Sequence, residues 1–469
     1  MEIINHINDL LWTYLLIAIL LGGGLYFTIS TRAIQFRAIP EMIRLLCQSA
    51  PRDTARRHIT SFQAFAISLA SRVGTGNIAG VAIAIALGGP GAVFWMWVVA
   101  IIGAANAFVE STLAQLYKIP DKDSFRGGPA YYISRGLHSR AWAVTFAVLI
   151  TLTFPLAFNS VQSNTIADAL SHSFGFSPVI VGAIFTVLTV AVIFGGIRRI
   201  ANISQILVPI MAILYILLAI YVITVHISHF PAIIRLIVDD AFGYPQAISG
   251  SLTMTVIMGV KRGLFSNEAG EGSTPNAAAT ATVSHPVKQG LVQTLGVYID
   301  TLLVCTATAF IILCSGAVDS SLVGIQLTQH ALETSVGSLA SSFVAIAVIF
   351  FAFTSIISNY YYGETNLAFI NPDRRITLAL RIATAASVML GAIAQLTLVW
   401  ALADITMALM TVCNMTAIIL LAPKARLCLK DYLSQRRRGR EPRFDTRILP
   451  PDVRRDIVAW PSGPAPDKN

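Results

Sequence analysis

Two polar, glycine-rich stretches interrupt long apolar segments of the sequence. The first is SRVGTGNIAG, residues 71–80, and the second is GVKRGLFSNEAGEGS, residues 259–273. Glycine costs about 1 kcal/mol in a helix interior, and unwound backbone is tolerated in lipid only where it is buried or lines a wet cavity. Each stretch is therefore predicted to break a membrane helix and to form part of a binding site.

An interrupted helix offers free backbone groups of both polarities. The N–H groups at the start of its second half favour an anion, and the carbonyl groups that end its first half favour a cation. At the first break, the predicted donors to a carboxylate are Thr75, Gly76 and Asn77. The carbonyl groups of Ala70 and Val73 are predicted to bind a hard cation such as sodium, which prefers oxygen ligands.

The segment FAFTSIISNYYYGE, residues 351–364, carries polar side chains at helical spacing. Thr354 and Ser358 are four residues apart, as are Ser355 and Asn359, so two polar stripes lie on one side of the helix. The hydroxyl groups of Thr354 and Ser355 are predicted to complete the cation shell. The alternative is hydrogen bonding between helices, which serine and threonine commonly provide in membranes.

A third polar segment, FNSVQSNTIAD, supplies Gln162. Its amide is the best candidate in this segment to contact a substrate. The alternative is that Gln162 only marks the end of its helix near the outer face.

Charged residues at membrane depth are costly and are functional candidates by default. Arg72 precedes the first break, Glu268 lies in the second, and Asp300 lies in the next apolar segment. Because an unpaired buried charge is untenable, Arg72 is predicted to pair with Glu268 or Asp300 in a cytoplasmic gate. A static structural ion pair is the alternative. The other charges predicted at membrane depth are Glu110, Lys261, Arg262, Glu271 and Asp404.

The composition indicates an integral membrane protein. Of 469 residues, 55% are apolar and 12% are charged, whereas soluble domains average about 25% charged residues. Many apolar runs have the length of roughly 20 residues that crosses a bilayer. The net charge of +9 does not indicate a nucleic-acid partner, because the basic residues lie between the apolar runs and in the C-terminal segment.

The apolar segments predict an all-α protein with eleven membrane helices, at about 11–31, 61–89, 91–117, 141–170, 179–197, 203–225, 246–282, 289–314, 339–362, 376–394 and 396–422. The basic loops all fall on one side of the membrane, which the positive-inside rule makes the cytoplasm. The predicted location is a bacterial inner membrane, with the N-terminus outside and the C-terminus inside.

The two breaks are predicted to begin two sets of five helices. Because five is odd, the sets run in opposite senses, as in transporters built from an inverted repeat. Two unrelated packing helices are the alternative. The predicted organisation is an extra helix at 1–31, a basic cytoplasmic linker at 32–60, repeats at 61–225 and 246–422, and a basic cytoplasmic tail at 423–469.

The motifs SRVGTGNIAGVA, GLFSNEAGEGS, GVYIDTLLVCTATA and FAFTSIISNYYYGE resemble the alanine or glycine:cation symporter family, over nearly the whole chain up to about Pro423. The resemblance implies a leucine-transporter-like fold and sodium-coupled uptake of alanine, glycine or a related amino acid, with no organic cofactor. It implies sodium ligands at Ala70, Val73, Thr354 and Ser355. It implies substrate contacts at Thr75, Gly76, Asn77, Gln162, Ser355 and Asn359.

The chain departs from that family at three positions. The family often has tryptophan where this chain has Asn359 and threonine where it has Ser355, so a larger or more polar substrate such as glutamine, asparagine or serine is predicted. The family signature commonly has an apolar residue at the position of Glu271, and this acid is interpreted as a surface change.

Three alternatives remain at this point. Proton coupling could replace sodium coupling if Asp300 or Glu268 titrates. An ion channel would need a continuous pore, and no selectivity-filter repeat is visible. A membrane enzyme would need a catalytic motif, and neither H-E-x-x-H nor G-x-S-x-G occurs. Membrane lipids are the other predicted partners, and the sequence leaves the oligomeric state open.

Overall fold

The computed structural model describes residues 6, 8, 10–48, 59–121, 124–243, 252–319, 321–337 and 339–460. Parts of several predicted segments lie outside these residues. They are the middle of the 32–60 linker, the start of the predicted second repeat at 246, and the end of the tail after 460.

The described part of the chain is almost entirely helical. Its first half contains α1 (Leu11–Ser30), α2 (Ile34–Arg37), α3 (Ile39–Cys47), α4 (Ser61–Arg72), α5 (Gly76–Gly88), α6 (Ala92–Leu116), α7 (Pro129–Gly136), α8 (Arg140–Phe174), α9 (Pro178–Ile193), α10 (Gly196–Val225) and α11 (Phe230–Ala241). Its second half contains α12 (Leu252–Asn267), α13 (Thr274–Thr280), α14 (Pro286–Ser315), α15 (Ile325–Val336), α16 (Leu339–Ile370), α17 (Arg374–Ile393), α18 (Leu396–Arg437) and α19 (Pro451–Arg454). Between α6 and α7, strands β1 (Ile119–Asp121) and β2 (Ser124–Arg126) pair antiparallel.

Eight of the described helices are long and apolar enough to cross a membrane, and α4 with α5 makes nine if the bent pair is one span. The prediction of an all-α integral membrane protein is confirmed. The predicted count of eleven is not confirmed, because it needs two more spans. These would be α9, which has only 16 residues, and the pair α12 and α13, so the count stays a prediction.

The helices of the two halves pack into one bundle. The long helix α6 packs most extensively against α14 and α12, and the second part of α8 packs against α17 and α16. The first broken helix has a defined start. Thr60 Oγ1 accepts from the backbone N–H of Gln63, whose side chain accepts from the N–H of Thr60, both at 3.1 Å, which forms a capping box.

Two predicted helix boundaries are wrong. Arg198 and Arg199, predicted to lie in a loop, lie in the first turn of α10. Helix α18 continues past Pro423 to Arg437 instead of ending at 422. Proline removes one backbone hydrogen bond, but the buried side chains that follow it, which include Cys428 and Tyr432, pack the helix onto the bundle.

The described part of the C-terminal tail is packed rather than solvated. The indole N–H of Trp460 donates to the carbonyl of Gln115 at 2.8 Å, and the backbone N–H of Phe444 donates to the carbonyl of Ser284 at 2.8 Å. The predicted basic tail is therefore held against the helices of the bundle up to residue 460.

A group of five charged side chains, here called the tail cluster, joins α3 and α14 to α18 and the tail. Glu41 pairs with Arg44 at 2.9 Å and with Arg436 at 3.1 Å. Glu441 pairs with Lys288 and lies 3.5 Å from Arg44. Burial raises the pKa of Glu41 and Glu441, but the hydrogen bonds and charges of these cations outweigh it and hold each pKa below its usual value.

The tail cluster should lose its contribution to stability in acid. Lowered carboxyl pKa values stabilise the folded state above the ordinary glutamate pKa of about 4.3, and this is lost as the pH falls through the lowered values. Glu441→Gln should therefore lower the melting temperature at pH 7 by a few degrees at most, because exposed pairs contribute about 0–1 kcal/mol each. The difference from the unmodified protein should shrink at pH 4.

The matched control is Glu333→Gln on α15. No cation lies within ion-pair distance of Glu333 in the described part of the chain. This variant should have the same melting temperature as the unmodified protein at both pH values. A Glu441→Gln deficit of equal size at pH 7 and pH 4 would contradict the electrostatic explanation.

Candidate functional site

The first glycine-rich stretch does break a helix. Helix α4 ends at Arg72, Val73 leaves the helical conformation with φ −77° and ψ 81°, and α5 begins at Gly76. The two helices are bent by 46° relative to each other. All residues from 71 to 80 are buried, so the unwound backbone lies inside protein, as a membrane requires.

Two backbone N–H groups at this break are already occupied by side-chain oxygens. The N–H of Gly74 donates to Asn77 Oδ1 at 2.9 Å, and the N–H of Thr75 donates to Gln162 Oε1 at 3.1 Å. The structure thus brings Gln162 to the break, with its amide oxygen where a substrate carboxylate was predicted. A carboxylate that binds the N–H of Thr75 must displace this oxygen.

The side chain of Asn77 is committed to a buried carboxylate. Its Nδ2 donates to Asp300 Oδ1 at 2.6 Å. The other oxygen of Asp300 accepts from the hydroxyls of Ser266 and Thr301, each at 2.8 Å. Asp300 therefore ties the first break to α12. The predicted carboxylate donor at Asn77 is its backbone N–H, and this contact of its side chain leaves that prediction untested.

The predicted cation ligands lie beside the same break. The hydroxyl of Ser355 donates to the carbonyl of Ala70 at 2.8 Å. Thr354 is buried next to it, and its hydroxyl donates back to the carbonyl of Phe351 at 3.0 Å. Val73 is also fully buried, but no described contact joins its carbonyl to this pair.

The chemistry of these ligands suits an alkali cation. In the described residues, no three His, Cys, Asp or Glu side chains converge as a transition-metal site requires. Carbonyl and hydroxyl oxygens are hard ligands. A cation bound between Ala70 and Ser355 would replace the hydrogen bond that now joins them.

The second glycine-rich stretch also breaks a helix. Helix α12 ends at Asn267 and α13 begins at Thr274. Between them, Glu268 has φ +55°, a left-handed conformation that costs a residue with a Cβ roughly 1–2 kcal/mol. Such strain persists only where the surroundings enforce it. The predicted pair of interrupted helices is confirmed.

The carboxylate of Glu268 joins the two breaks. One oxygen lies 2.6 Å from the hydroxyl of Ser71, in the last turn of α4, and the other accepts from Ser273 at 2.5 Å. The Ser71 hydroxyl also lies 2.8 Å from Asn359 Oδ1, and Asn359 Nδ2 donates to Asn159 at 3.0 Å. One hydroxyl proton cannot serve both acceptors, so oxygen acceptors are in excess around Ser71.

The predicted ion pair of Arg72 is not formed. One guanidinium nitrogen donates to the carbonyl of Gln293 at 3.0 Å, and the other two have no hydrogen-bond partner in the described residues. Neither Glu268 nor Asp300 lies within 4.0 Å of this guanidinium. Neutral donors already satisfy both carboxylates, and this leaves Arg72 bound to backbone.

Glu271 is fully buried, so its interpretation as a surface change is wrong. Neither of its side-chain oxygens has a hydrogen-bond partner in the described residues. Its neighbour Glu110 differs, because it accepts from the N–H of Gly270 at 3.1 Å and from Asn414 Nδ2 at 2.9 Å.

An ion pair and three aromatic rings close the site towards the N-terminal end of α18. One guanidinium nitrogen of Arg262 donates to both carboxylate oxygens of Asp404, at 2.7 and 3.0 Å. The guanidinium lies 4.3 Å from the centre of the Trp400 ring. Phe265 packs 4.6 Å from Trp400 and 4.5 Å from Phe158. A cavity of about 510 Å³ lies on the other side of the ion pair.

The aromatic rings were missed from the sequence, as were the roles of Ser71 and Asn159. Arg262 and Asp404 were identified as buried charges, but their pairing was not predicted. The only available signal was that unpaired charges at membrane depth require partners.

Facing breaks in two membrane helices, with oxygen atoms beside them and aromatic rings over them, are the arrangement of a secondary active transporter. The model of the sodium:alanine symporter family matches residues 1–446. The chain belongs to this family, so it is a symporter and neither an enzyme nor a channel.

Similar proteins match nearly the whole chain. The probable sodium/glutamine symporter GlnT of Bacillus subtilis is 50% identical over 98% of this chain and 97% of its own. The amino-acid carrier protein AlsT of the same organism is 49% identical over 96% of both chains. The putative sodium/proton-dependent alanine carrier protein YrbD, also from B. subtilis, is 46% identical over 96% of both.

Proposed function

We propose that this protein imports a small neutral amino acid with sodium, and that its pocket accepts a polar side chain such as that of glutamine. The observation that carries the proposal is the position of Asn359, a hydrogen-bonding amide in the buried network that joins the two breaks. The 50% identity to a probable sodium/glutamine symporter supports it.

The proposed sodium site consists of the carbonyls of Ala70 and Val73 and the hydroxyls of Thr354 and Ser355. The 2.8 Å contact between the Ser355 hydroxyl and the Ala70 carbonyl supports this assignment, because it brings two of the four proposed oxygen ligands together. Sodium binding there would link α16 to the broken helix and so favour the closed arrangement of the two.

The substrate is proposed to lie between the breaks, where its carboxylate and the neighbouring ammonium group contact different parts of the first break. Its carboxylate would take the place of Gln162 Oε1 at the backbone of Thr75, Gly76 and Asn77. Its ammonium would lie beside Ser71 and Glu268, where oxygen acceptors outnumber the available protons, and its side chain would extend past Asn359.

Transport also needs a closure on each side of the site. The proposed outer closure is the Arg262–Asp404 pair with the aromatic rings beneath it. The proposed cytoplasmic gate involves Arg72, Glu268 and Asp300, with Arg72 exchanging its backbone contact for a carboxylate during the cycle. The proposed location is a bacterial inner membrane, with the N-terminus outside and the C-terminus in the cytoplasm, as the positive-inside rule predicts.

Uptake by the purified protein in liposomes tests the function. Labelled glutamine, alanine and glycine should each be supplied with an inward sodium gradient and with equal sodium on both sides. The proposal requires concentrative uptake in the first condition only, with glutamine as a strong competitor. Equal uptake in both conditions would exclude sodium coupling.

Proton coupling is the second candidate, because the relative YrbD is named a putative sodium/proton-dependent alanine carrier. A pH gradient imposed without sodium separates the two. Uptake driven by the pH gradient alone would show that protons, and not sodium ions, are the coupling ion.

Asn359→Trp should narrow the range of accepted substrates. A tryptophan would fill the side-chain end of the pocket, so glutamine uptake should fall by at least about tenfold, the effect of about 1.4 kcal/mol, while alanine or glycine uptake persists. Competition of labelled alanine uptake by unlabelled glutamine measures this. The control is Ile346→Trp, an exposed position on the same helix, and an unchanged competition profile for Asn359→Trp contradicts the assignment.

A further inference from the structure

A strongly basic cavity of about 770 Å³ lies where the end of α1 meets the C-terminal part of α18. Six cationic side chains line it and no acidic residue does. We call this the basic cavity, and its cations are Arg32, Arg37, Arg426, Lys430, Arg437 and Arg438. Arg426, Lys430 and Arg437 follow helical spacing, which places them on one face of α18.

The cations of the basic cavity have no counter-charge in the described part of the chain. None of the six takes part in an ion pair there. Arg436, on the neighbouring face of the same helix, pairs with Glu41 and Glu441. The helix thus separates a neutralised face from a face of uncompensated positive charge, and like charges so placed attract an anion.

The position of the basic cavity sets it at the membrane surface. It begins at Ser30 and Thr31, the end of the membrane-spanning α1. The short helices that follow expose Phe36, Ile39 and Ile43, as a segment lying in the headgroup region of a bilayer does.

Leucine side chains also line the basic cavity. Leu427, Leu429 and Leu433 line it beside the cations. A free phosphate ion gains nothing from leucine side chains, whereas a phospholipid presents a phosphate and hydrocarbon within a few ångströms of each other. Basic pockets at the cytoplasmic ends of membrane helices bind anionic lipid headgroups by this combination.

We propose that the basic cavity is a binding site for the phosphate headgroup of an anionic phospholipid. The phosphate lies between the cations of α18 and those that follow α1, and the acyl chains leave along the leucine side chains towards the bilayer. The bound lipid fastens the last helix of the bundle to the first. This site is separate from the substrate site and does not depend on the proposed substrate.

Thermal unfolding of the purified full-length protein in detergent tests the proposal. Phosphatidylglycerol should raise the melting temperature, and phosphatidylcholine or inorganic phosphate at equal concentration should not. Arg426→Gln/Lys430→Gln should lose at least half of the phosphatidylglycerol effect. The charge-matched control Arg374→Gln/Arg375→Gln, at the exposed start of α17, should keep it.

Several outcomes would overturn the lipid assignment. If phosphatidylcholine stabilised the protein equally, the site would not recognise an anionic headgroup. If inorganic phosphate stabilised it equally, the ligand would be a free anion. If both double variants lost the same share of the phosphatidylglycerol effect, the lipid would be attracted by surface charge in general and not by this cavity. Native mass spectrometry of the unmodified protein gives a test without substitutions, since phosphatidylglycerol should remain bound under conditions that remove phosphatidylcholine.

Discussion

Gly74→Ala should reduce sodium-driven uptake by at least about tenfold, because the disruption of a buried hydrogen-bonded contact costs about 1–3 kcal/mol. A methyl group on Gly74 would overlap the hydroxyl of Ser355 and lie 3.0 Å from Gln162 Oε1. Ser355 would have to leave the carbonyl of Ala70, and Gln162 would have to leave the N–H of Thr75. Both contacts belong to the proposed sodium and carboxylate sites.

The measurement is the sodium concentration that gives half-maximal uptake, together with the melting temperature. Gly74→Ala should raise the sodium requirement while the protein still folds, since the atoms it displaces are ends of side chains. Wild-type sodium dependence in this variant would show that the contact between Ala70 and Ser355 is not the cation site.

Gly80→Ala is the matched control in the same glycine-rich stretch. A methyl group there would meet only the Trp400 ring, at 3.6 Å, and the carbonyl of Thr75, at 3.9 Å, which are ordinary contact distances. Alanine is also favoured over glycine inside a helix by about 0.5–1 kcal/mol. Gly80→Ala should therefore transport normally and melt at an equal or higher temperature.

The contrast between these glycines shows what the sequence could and could not predict. The two breaks were predictable because glycine and charge are costly in a membrane helix, so they stand out against apolar surroundings. Which of the glycines within a break is indispensable depends on what the other helices place beside it. Ser355 and Gln162 are far from Gly74 in sequence, and only the packed bundle brings them to it.

Partner choice among buried polar groups was the least predictable part of the site. The sequence predicted an ion pair of Arg72 with Glu268 or Asp300, and this pair is absent. The carboxylates bond neutral hydroxyl and amide donors such as Ser71 and Asn77. Single serines and asparagines are common interhelical residues in membranes, so nothing in the sequence distinguished these.

The aromatic rings that close the site could not be predicted, for a different reason. The chain has 24 phenylalanines, and most long apolar segments contain one, so no pattern identifies Phe158 and Phe265. Helix ends were hidden as well, because Pro423 is a good local stop signal that packing of the following residues overrides. Local rules predicted where the backbone must break, and tertiary contacts decided what fills the breaks.

The carboxyl groups of the second break allow a sharp test, because two of them differ in their partners and not in their burial. Glu268 and Glu271 are both fully enclosed and three residues apart. Glu268 bonds Ser71 and Ser273, across both breaks. Glu271 has no hydrogen-bond partner in the described residues. The same isosteric change at each position therefore removes different interactions.

Glu268→Gln should reduce uptake roughly 10- to 100-fold, since a hydrogen bond to a charged group is worth about 1.5–3 kcal/mol and the substrate ammonium would lose its counter-charge. The change should appear mainly as a rise in the substrate concentration that gives half-maximal uptake. Glu271→Gln removes a buried carboxyl group that makes no hydrogen bond in the described residues, so no such bond is lost. It should transport within about twofold of the unmodified protein and melt at a similar temperature. If Glu271→Gln were as damaging as Glu268→Gln, the ammonium site would have to be moved from the edge of the first break to the interior of the second.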